Sequence, residues 1–171
     1  MKRLLLLAAA SFLALFSRSH AEPLAVGAAA PVLTAQTEEG KPLNLGAVYQ
    51  NHTYTLVYFY PKADTAGCTA QGCSLRDAYT ELTREGVAVI GVSTDDVAAQ
   101  RAFKEKHNLP FTLLADTDKA VMTAFGQNSN RPVASRQAYL IHGGRIVYAD
   151  HKGSTSQQAQ DILNFLKKNR S

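Results

Sequence analysis

The feature that most constrains the fold is a continuous run of aromatic, β-branched and aliphatic residues, YTLVYFY, at positions 54–60. Polar and apolar residues do not alternate along the run, so it predicts a β-strand that is buried on both faces. Pro61 ends this strand. A strand of this kind belongs inside a sheet that helices cover on both sides, which indicates the α/β class.

Helices and strands alternate after this first strand. Apolar residues at helical spacing predict a helix from about Gly67 to Glu85. The segments VAVIGVS (87–93) and FTLLAD (111–116) predict two more buried strands, and a short helix follows the second of them. The acidic pair at 95–96 opens a helix that stops before Pro110. The resulting order is βαβαβα.

The pattern changes in the last third of the chain. QAYLI (137–141) and RIVYA (145–149) predict two antiparallel strands, joined by the turn HGG (142–144), whose glycines can adopt positive φ. Ser154 and Gln157 fit a capping box for a final amphipathic helix.

A weakly alternating section at 31–45 is broken by EEGKP and predicts a hairpin at the sheet edge. No internal repeat or linker divides the chain, so we expect one domain over 22–171. The elements together predict an α/β sandwich in which helices flank a mixed central sheet.

The chain opens with the layout of a secretory signal peptide, in which two basic residues precede an apolar run from Leu4 to Phe16. Ser19 and Ala21 supply the small residues of a cleavage site before Glu22. This run is shorter than the roughly 18 apolar residues that a membrane anchor requires. We therefore expect a signal peptide at 1–21, no stable membrane insertion after cleavage, and export to the bacterial periplasm.

The net charge gives no reason to expect nucleic acid as a partner. The formal charge is +4, but three of the 18 lysines and arginines lie in the expected leader, which contains no acidic residue. The remaining charge of +1 is too small to indicate binding to nucleic acid or to an anionic membrane.

Both cysteines of the chain, Cys68 and Cys73, lie in the stretch PKADTAGCTAQGC, directly after the first buried strand. If the helix begins near Gly67, Cys68 lies in its first turn, where free N–H groups and the helix dipole favour a thiolate. An ordinary thiol with a pKa of about 8.5 is only about 3% ionised at pH 7, and a helix terminus contributes about 2 kcal/mol at best. A reactive Cys68 therefore also requires a nearby cation.

The spacing of the two cysteines indicates a redox switch. Five residues apart on a helix, their Cα atoms would be about 8.6 Å apart, whereas a disulfide requires less than about 7 Å. A bond between them thus requires part of the helix to unwind. One alternative is a permanent staple, but a six-residue ring stabilises by only about 2.2 kcal/mol. A metal site is a weaker alternative, because the histidines show no ligand spacing among themselves: His52, His107, His142 and His151.

Pro61, Thr65 and Cys68 form the pattern Pro-x3-Thr-x2-Cys, and the whole stretch YFYPKADTAGCTAQGCSLRD resembles the peroxiredoxins, in particular the peroxiredoxin Q or bacterioferritin-comigratory-protein branch. The similarity extends to LPFTLLAD and SRQAYLI. The resemblance implies a thioredoxin-like fold with an N-terminal β-hairpin extension. It also implies an atypical two-Cys peroxidase that works as a monomer and without a cofactor or metal.

The same resemblance implies a role for each cysteine. Cys68 would be the peroxidatic cysteine, whose thiolate attacks hydrogen peroxide or a small organic hydroperoxide and becomes a sulfenic acid. Cys73 would be the resolving cysteine, which forms an intramolecular disulfide with it. A thioredoxin-like dithiol reductant would then reduce that disulfide by exchange.

Four further residues complete the implied site. Thr65 would direct its hydroxyl at the thiolate and the peroxide, and the N–H groups of Gly67 and Cys68 would stabilise the developing oxyanion. Pro61 would shield the sulfur from water. Arg136, just before the strand QAYLI, would supply the cation and hold the peroxide. The simpler interpretation of Thr65, as a helix N-cap, is compatible with this role.

Some alternatives stay open at the level of sequence. Arg76 is a second candidate cation, although eight residues place it about 12 Å along the helix axis from Cys68. Gln71 stands where many relatives carry Glu. A thioredoxin-fold disulfide exchanger or a copper-delivery protein would be a different functional class. Those proteins favour two or three residues between the cysteines, whereas four intervene here.

Overall fold

The structure is a computed structural model that describes residues 22–169. The expected signal peptide at 1–21 lies outside the described residues. Within residues 22–169, every helix is too short or too polar to cross a membrane.

A mixed sheet forms the centre of the fold. Its seven strands within the described chain are β1 (Thr34–Thr37), β2 (Pro42–Asn44), β3 (Tyr54–Phe59), β4 (Val87–Ser93), β5 (Thr112–Ala115), β6 (Gln137–His142) and β7 (Arg145–Asp150). They lie in the order β2-β1-β5-β4-β3-β6-β7. β3, β4 and β5 are parallel, whereas the β1–β2 and β6–β7 hairpins are antiparallel. The predicted mixed α/β sheet and its N-terminal hairpin are therefore confirmed.

Helices flank this sheet. Those in the described part of the chain are α1 (Leu45–Asn51), α2 (Ala66–Asp77), α3 (Tyr79–Arg84), α4 (Val97–His107), α5 (Ala120–Ala124) and α6 (Gln158–Lys168). The sequence did not predict α1, because seven residues are too few to show helical periodicity. Its start is nevertheless capped, since Asn44 Oδ1 accepts the N–H of Ala47 at 3.1 Å.

The single helix predicted over 67–85 is wrong in one respect. The backbone leaves the helical region at Ala78, with φ −96° and ψ 8°, and separates α2 from α3. The break allows α3 to turn its own apolar side chains to the core. Tyr79 packs on Phe111 with ring centroids 6.0 Å apart, and Leu82 is fully buried.

The predicted capping box at Ser154 and Gln157 is also wrong. Gln157 occupies the N-cap position of α6 and makes no side-chain cap bond. Ser154 Oγ instead donates to Asp161 Oδ2 at 2.5 Å, one turn inside the helix, and its N–H donates to Asp150. Ser154 thus lies too far before the helix to cap its first amides.

Strand β3 separates two hydrophobic cores. Leu56 and Tyr58 pack into a cluster on one face of the sheet, whereas Val57 and Phe59 pack into a cluster on the other. The predicted burial of this strand on both faces is confirmed. Cys68, in the first turn of α2, belongs to the same cluster as Leu56. The chain therefore places this cysteine beyond the carboxyl end of β3.

Candidate active site

Cys68 lies at the amino-terminal turn of α2 and is only 1% exposed. Thr65 occupies the N-cap position, and the first intrahelical bond of α2 runs from Thr69 N to Thr65 O at 2.8 Å. The amides of Gly67 and Cys68 thus precede the helical hydrogen-bond ladder and are available to an anion. The predicted position of Cys68 in the first helical turn is what the structure shows.

A guanidinium lies next to the sulfur. Arg136 Nη2 is 3.4 Å from Cys68 Sγ, within hydrogen-bond distance for sulfur. Arg136 Nη1 donates to Gln71 Oε1 at 2.5 Å and to Gly67 O at 3.4 Å. The planar guanidinium therefore contacts three residues of the first two turns of α2. A positive charge at this distance stabilises a thiolate over a thiol.

Two glycines make room for Arg136. A Cβ atom at Gly67 would lie 3.1 Å from Arg136 Nη2. At Gly153, which has a φ of +56°, a Cβ would lie 2.4 Å from Arg136 Cγ and 2.8 Å from its carbonyl carbon. Gly153 lies in the loop between β7 and α6. Asp150 holds this loop by accepting the backbone N–H groups of residues 152–154. Sequence reasoning missed the β7–α6 loop, although its glycine between polar residues is a turn signal.

Arg76, the other candidate cation, binds groups away from Cys68. Arg76 Nη2 forms an ion pair with Asp77 at 2.8 Å, and Arg76 Nη1 donates to the carbonyl oxygen of His107 at 2.9 Å. The structure thus brings Arg136, and not Arg76, to Cys68.

Thr65 makes no side-chain cap hydrogen bond. Its hydroxyl instead donates to Lys62 O at 3.0 Å, within the loop that joins β3 to α2. The oxygen lone pairs of Thr65 are then free of the helix amides and can accept a proton donor. Pro61, at the start of the same loop, is half-buried.

Two carboxylates hold the loop before α2. Asp95 Oδ2 accepts the N–H of Ala63 at 2.7 Å. Asp64, in the left-handed region at φ +58°, contacts His107 Nε2 at 2.8 Å and Lys106 Nζ at 2.6 Å. The hydrogen bond with His107 and then that with Lys106 hold the pKa of Asp64 below its usual value. The loop is therefore fixed to the end of α4 wherever Asp64 is ionised.

The two cysteines are both free thiols, Cys68 buried and Cys73 half-buried. They lie on the same uninterrupted helix, α2. Positions five residues apart on a helix are about 8.6 Å apart at Cα, beyond the reach of a disulfide. The structure is thus a reduced, helical state. Among residues 22–169, no group of three or more His, Cys, Asp and Glu side chains is arranged to hold a metal ion.

The arrangement is suited to oxidation of sulfur. A thiol held next to a cation can ionise and attack an electrophile. A second thiol in the same helix can then attack the oxidised sulfur and form a disulfide, once the helix opens. On a sheet of this topology, these features define a thiol-redox enzyme of the thioredoxin-like class.

Comparison with known proteins narrows this class. The sequence matches the AhpC/TSA family over residues 26–149, and the chain belongs to this family. Peroxiredoxin Bcp of Escherichia coli is 38% identical over 153 residues, which cover 85% of this chain and 97% of that protein. The chloroplastic peroxiredoxin Q of Arabidopsis thaliana is 35% identical over 145 residues, which cover 82% of this chain. The chain spans 66% of the length of that protein and of a relative from Coxiella burnetii.

A solved structure of the Xanthomonas campestris bacterioferritin comigratory protein has the same fold, with a TM-score of 0.72 and 28% identity over 80% of this chain and 90% of that one. The resemblance to the peroxiredoxin Q and bacterioferritin-comigratory-protein branch is thereby confirmed, as is the thioredoxin-like fold. The chain is a peroxiredoxin.

Proposed function

We propose that this peroxiredoxin reduces hydrogen peroxide and small organic hydroperoxides, with Cys68 as the attacking group. The observation that carries the proposal is the 3.4 Å contact between Arg136 Nη2 and Cys68 Sγ at the first turn of α2. The cation and the helix terminus both favour the thiolate, which is the nucleophilic form of cysteine. The Xanthomonas campestris bacterioferritin comigratory protein has an alkyl peroxide reduction activity, which supports the same substrate class.

In the first step, the Cys68 thiolate attacks the terminal oxygen of the hydroperoxide. An S–O bond forms and the O–O bond breaks. The hydroperoxide proton stays on the oxygen now bound to sulfur, which gives a sulfenic acid, and the departing alkoxide or hydroxide takes up a proton from solvent. Arg136 and the free amides of Gly67 and Cys68 are placed to stabilise the negative charge that grows on the oxygens.

Thr65 and Pro61 would act on the substrate side of the sulfur. Because the Thr65 hydroxyl donates to Lys62 O, its lone pairs can accept the O–H of an incoming hydroperoxide. Pro61 lies at the other end of the same short loop and would limit the access of water. The 1% exposure of Cys68 favours hydroperoxides with small or slender substituents.

In the second step, α2 unwinds locally and the Cys73 thiolate attacks the sulfur of the sulfenic acid. An S–S bond forms, the S–O bond breaks, and the hydroxide that leaves is protonated to water. A dithiol reductant then exchanges with the Cys68–Cys73 disulfide, restores both thiols and is itself oxidised to a disulfide. We propose a thioredoxin-like protein for this role.

The location and assembly of the protein are part of the same proposal. The composition of 1–21 supports cleavage of a signal peptide before Glu22 and release into the periplasm. The reductant would then have to reside in that compartment, since cytosolic thioredoxin is excluded from it. We propose that the enzyme works as a monomer, because both thiols of the cycle lie on one helix.

A thiol count tests the function directly. The reduced protein is treated with one equivalent of hydrogen peroxide, and its free thiols are measured before and after; the proposal predicts the loss of both. Cys68→Ser should abolish peroxide consumption. Cys73→Ser should consume a single equivalent and accumulate a sulfenic acid, detected by mass spectrometry after trapping with dimedone. Normal turnover by Cys68→Ser would refute the assignment, and tight copper binding without peroxide consumption would favour a copper-delivery protein.

A further inference from the structure

Two buried amides link the Arg136 guanidinium to α6. Arg136 Nη1 donates to Gln71 Oε1 at 2.5 Å, and Gln71 Nε2 donates to Gln158 Oε1 at 2.9 Å. The side chains of Gln71 and Gln158 are both fully buried. Little water can therefore compete for these hydrogen bonds, and the low local dielectric strengthens them.

The guanidinium decides which end of the Gln71 amide can face it. Arginine has only hydrogen-bond donors, so Gln71 must turn its oxygen toward Arg136. After a half-turn, the same amide would present its NH2 group to the guanidinium, and the two donors would repel each other. Gln158 Oε1 accepts from Gln71 Nε2 and thereby selects the orientation that Arg136 requires.

Gln158 meets this requirement at the expense of its own hydrogen bonding. Its Nε2 is buried and has no hydrogen-bond partner among residues 22–169. Buried polar groups are rarely left in this state. The opposite orientation of the Gln158 amide would place its NH2 group against that of Gln71. An apolar side chain of similar length, such as Met, would remove this unpaired donor, but it could not accept from Gln71 Nε2 and so could not orient the Gln71 amide.

We propose that Gln158 is a positioning residue for Arg136 and acts through Gln71. The inference rests on the proposed function, in which Arg136 stabilises the Cys68 thiolate. With Gln158 in place, the guanidinium is held 3.4 Å from Cys68 Sγ. Without it, the Gln71 amide is free to rotate, and Arg136 loses its shortest hydrogen bond to α2. The guanidinium then lies next to the sulfur for less of the time, and less thiolate is present at neutral pH.

The test measures the rate of alkylation by iodoacetamide as a function of pH. All variants carry Cys73→Ser, so that the rate reports on Cys68 alone. Gln158→Met removes the acceptor of Gln71 Nε2. The matched control is Gln160→Met, the same substitution at an exposed position of α6. Near-ultraviolet circular dichroism of each variant verifies that it is folded.

We expect Gln158→Met to move the midpoint of the pH–rate profile upward by about one unit, which is tenfold less thiolate below the midpoint. Gln160→Met should stay within about half a unit of the parent. A profile for Gln158→Met that superimposes on the parent would overturn the proposal.

A double-mutant cycle tests whether Gln158 acts through Gln71. Gln71→Met should shift the profile in the same direction, and adding Gln158→Met to it should produce no further shift. Additive shifts would contradict the relay. These measurements use no peroxide, so they can be separated from the test of function. An unshifted Gln158→Met in a protein that consumes peroxide refutes the relay alone. A shifted profile in a protein that consumes none refutes the peroxidase and leaves the relay standing.

Discussion

The backbone N–H of Ala159 donates to Ser74 Oγ at 3.2 Å, so the start of α6 is hydrogen-bonded to the α2 residue that follows Cys73. The Gln71–Gln158 bond ties α6 to the same helix one turn earlier. Both bonds involve the part of α2 that must unwind before Cys73 can reach Cys68. The Ala159–Ser74 bond does not involve Arg136, so its stability should influence the second step of the cycle more than the first.

Ser74→Ala should accelerate disulfide formation. The substitution removes one hydrogen bond that holds α2 in its helical form, and such a bond is worth about 1 kcal/mol, or about fivefold in rate. The reaction of Cys68 with peroxide should not change. Rapid quenching followed by mass spectrometry separates the sulfenic acid from the disulfide. Ser156→Ala, at an exposed serine before α6, is the control. Equal disulfide rates in both variants would show that the Ser74 bond does not restrain α2.

Arg136→Met should slow the reaction of Cys68 with hydrogen peroxide by about 10-fold to 100-fold, because a hydrogen bond from a charged group is worth about 1.5–3 kcal/mol. Arg136→Lys should recover only part of the rate, since an ammonium group cannot contact Cys68 and Gln71 as a planar fork. Stopped-flow measurement of the second-order rate constant provides the check. Arg131→Met, at an exposed arginine five positions earlier in the chain, should react like the parent protein. A fully active Arg136→Met would exclude the guanidinium from the first step.

Gly67→Ala and Gly72→Ala should slow different steps of the cycle, although both lie on α2. A Cβ at residue 67 would lie 3.1 Å from Arg136 Nη2 and force the guanidinium to move, so the reaction with peroxide should slow by about tenfold.

A Cβ at residue 72 would meet Leu109 at an ordinary 3.5 Å. Gly72→Ala should therefore stabilise the helix by about 0.5–1 kcal/mol and leave the first step unchanged. Because a stiffer helix unwinds less readily, disulfide formation should be slower in Gly72→Ala. Urea unfolding measures the stability of the two variants, and stopped-flow kinetics measures their rates of reaction with peroxide. Equal peroxide rates would show that a Cβ at residue 67 does not displace Arg136.

The sequence predicted the elements that have strong local patterns. β3 was evident because its apolar run is unbroken, and apolar residues at helical spacing predicted a helix from about Gly67, close to the start of α2 at Ala66. The contacts that shape the site join residues that lie far apart in the sequence. Gln71 and Gln158 are 87 positions apart, and Asp64 and His107 are 43 positions apart. Neither pair leaves a periodic or spacing signal, since each exists only after the sheet has brought distant loops together.

Arg136 is a functional candidate that sequence patterns alone could not identify. No local pattern distinguishes it from the other arginines, and only the resemblance to peroxiredoxins selected it. The structure places it beside Cys68, but its catalytic role and those of Thr65, Gly67, Pro61 and Cys73 stay predictions. Charge and spacing alone could therefore indicate that a cation was needed without indicating which one.

Asp116 should make the stability of the fold depend on pH. It follows β5, is 1% exposed, and accepts the backbone N–H groups of Val121 and Met122 at 2.8 Å each. Burial raises the pKa of Asp116 to about 6, although the two amides act in the opposite direction. Because the folded state binds this proton more tightly than the unfolded chain, its contribution to stability is fully present below about pH 4 and is lost as the pH rises to about 6. The loss is on the order of 3 kcal/mol.

Asp116→Asn isolates this contribution, since an amide does not titrate. The free energy of unfolding, measured with urea at intervals from about pH 4 to pH 7, should fall with rising pH more steeply in the parent protein than in the variant. Above about pH 6 the two curves should run parallel, because Asp116 is then ionised in both the folded and the unfolded chain. Glu105→Gln, at an exposed carboxylate of α4, should retain the slope of the parent. The opposite outcome is that the free energies of unfolding of the parent and of Asp116→Asn differ by the same amount at every pH. That result would show that Asp116 has the same pKa in the folded and unfolded chain, so that burial does not raise it.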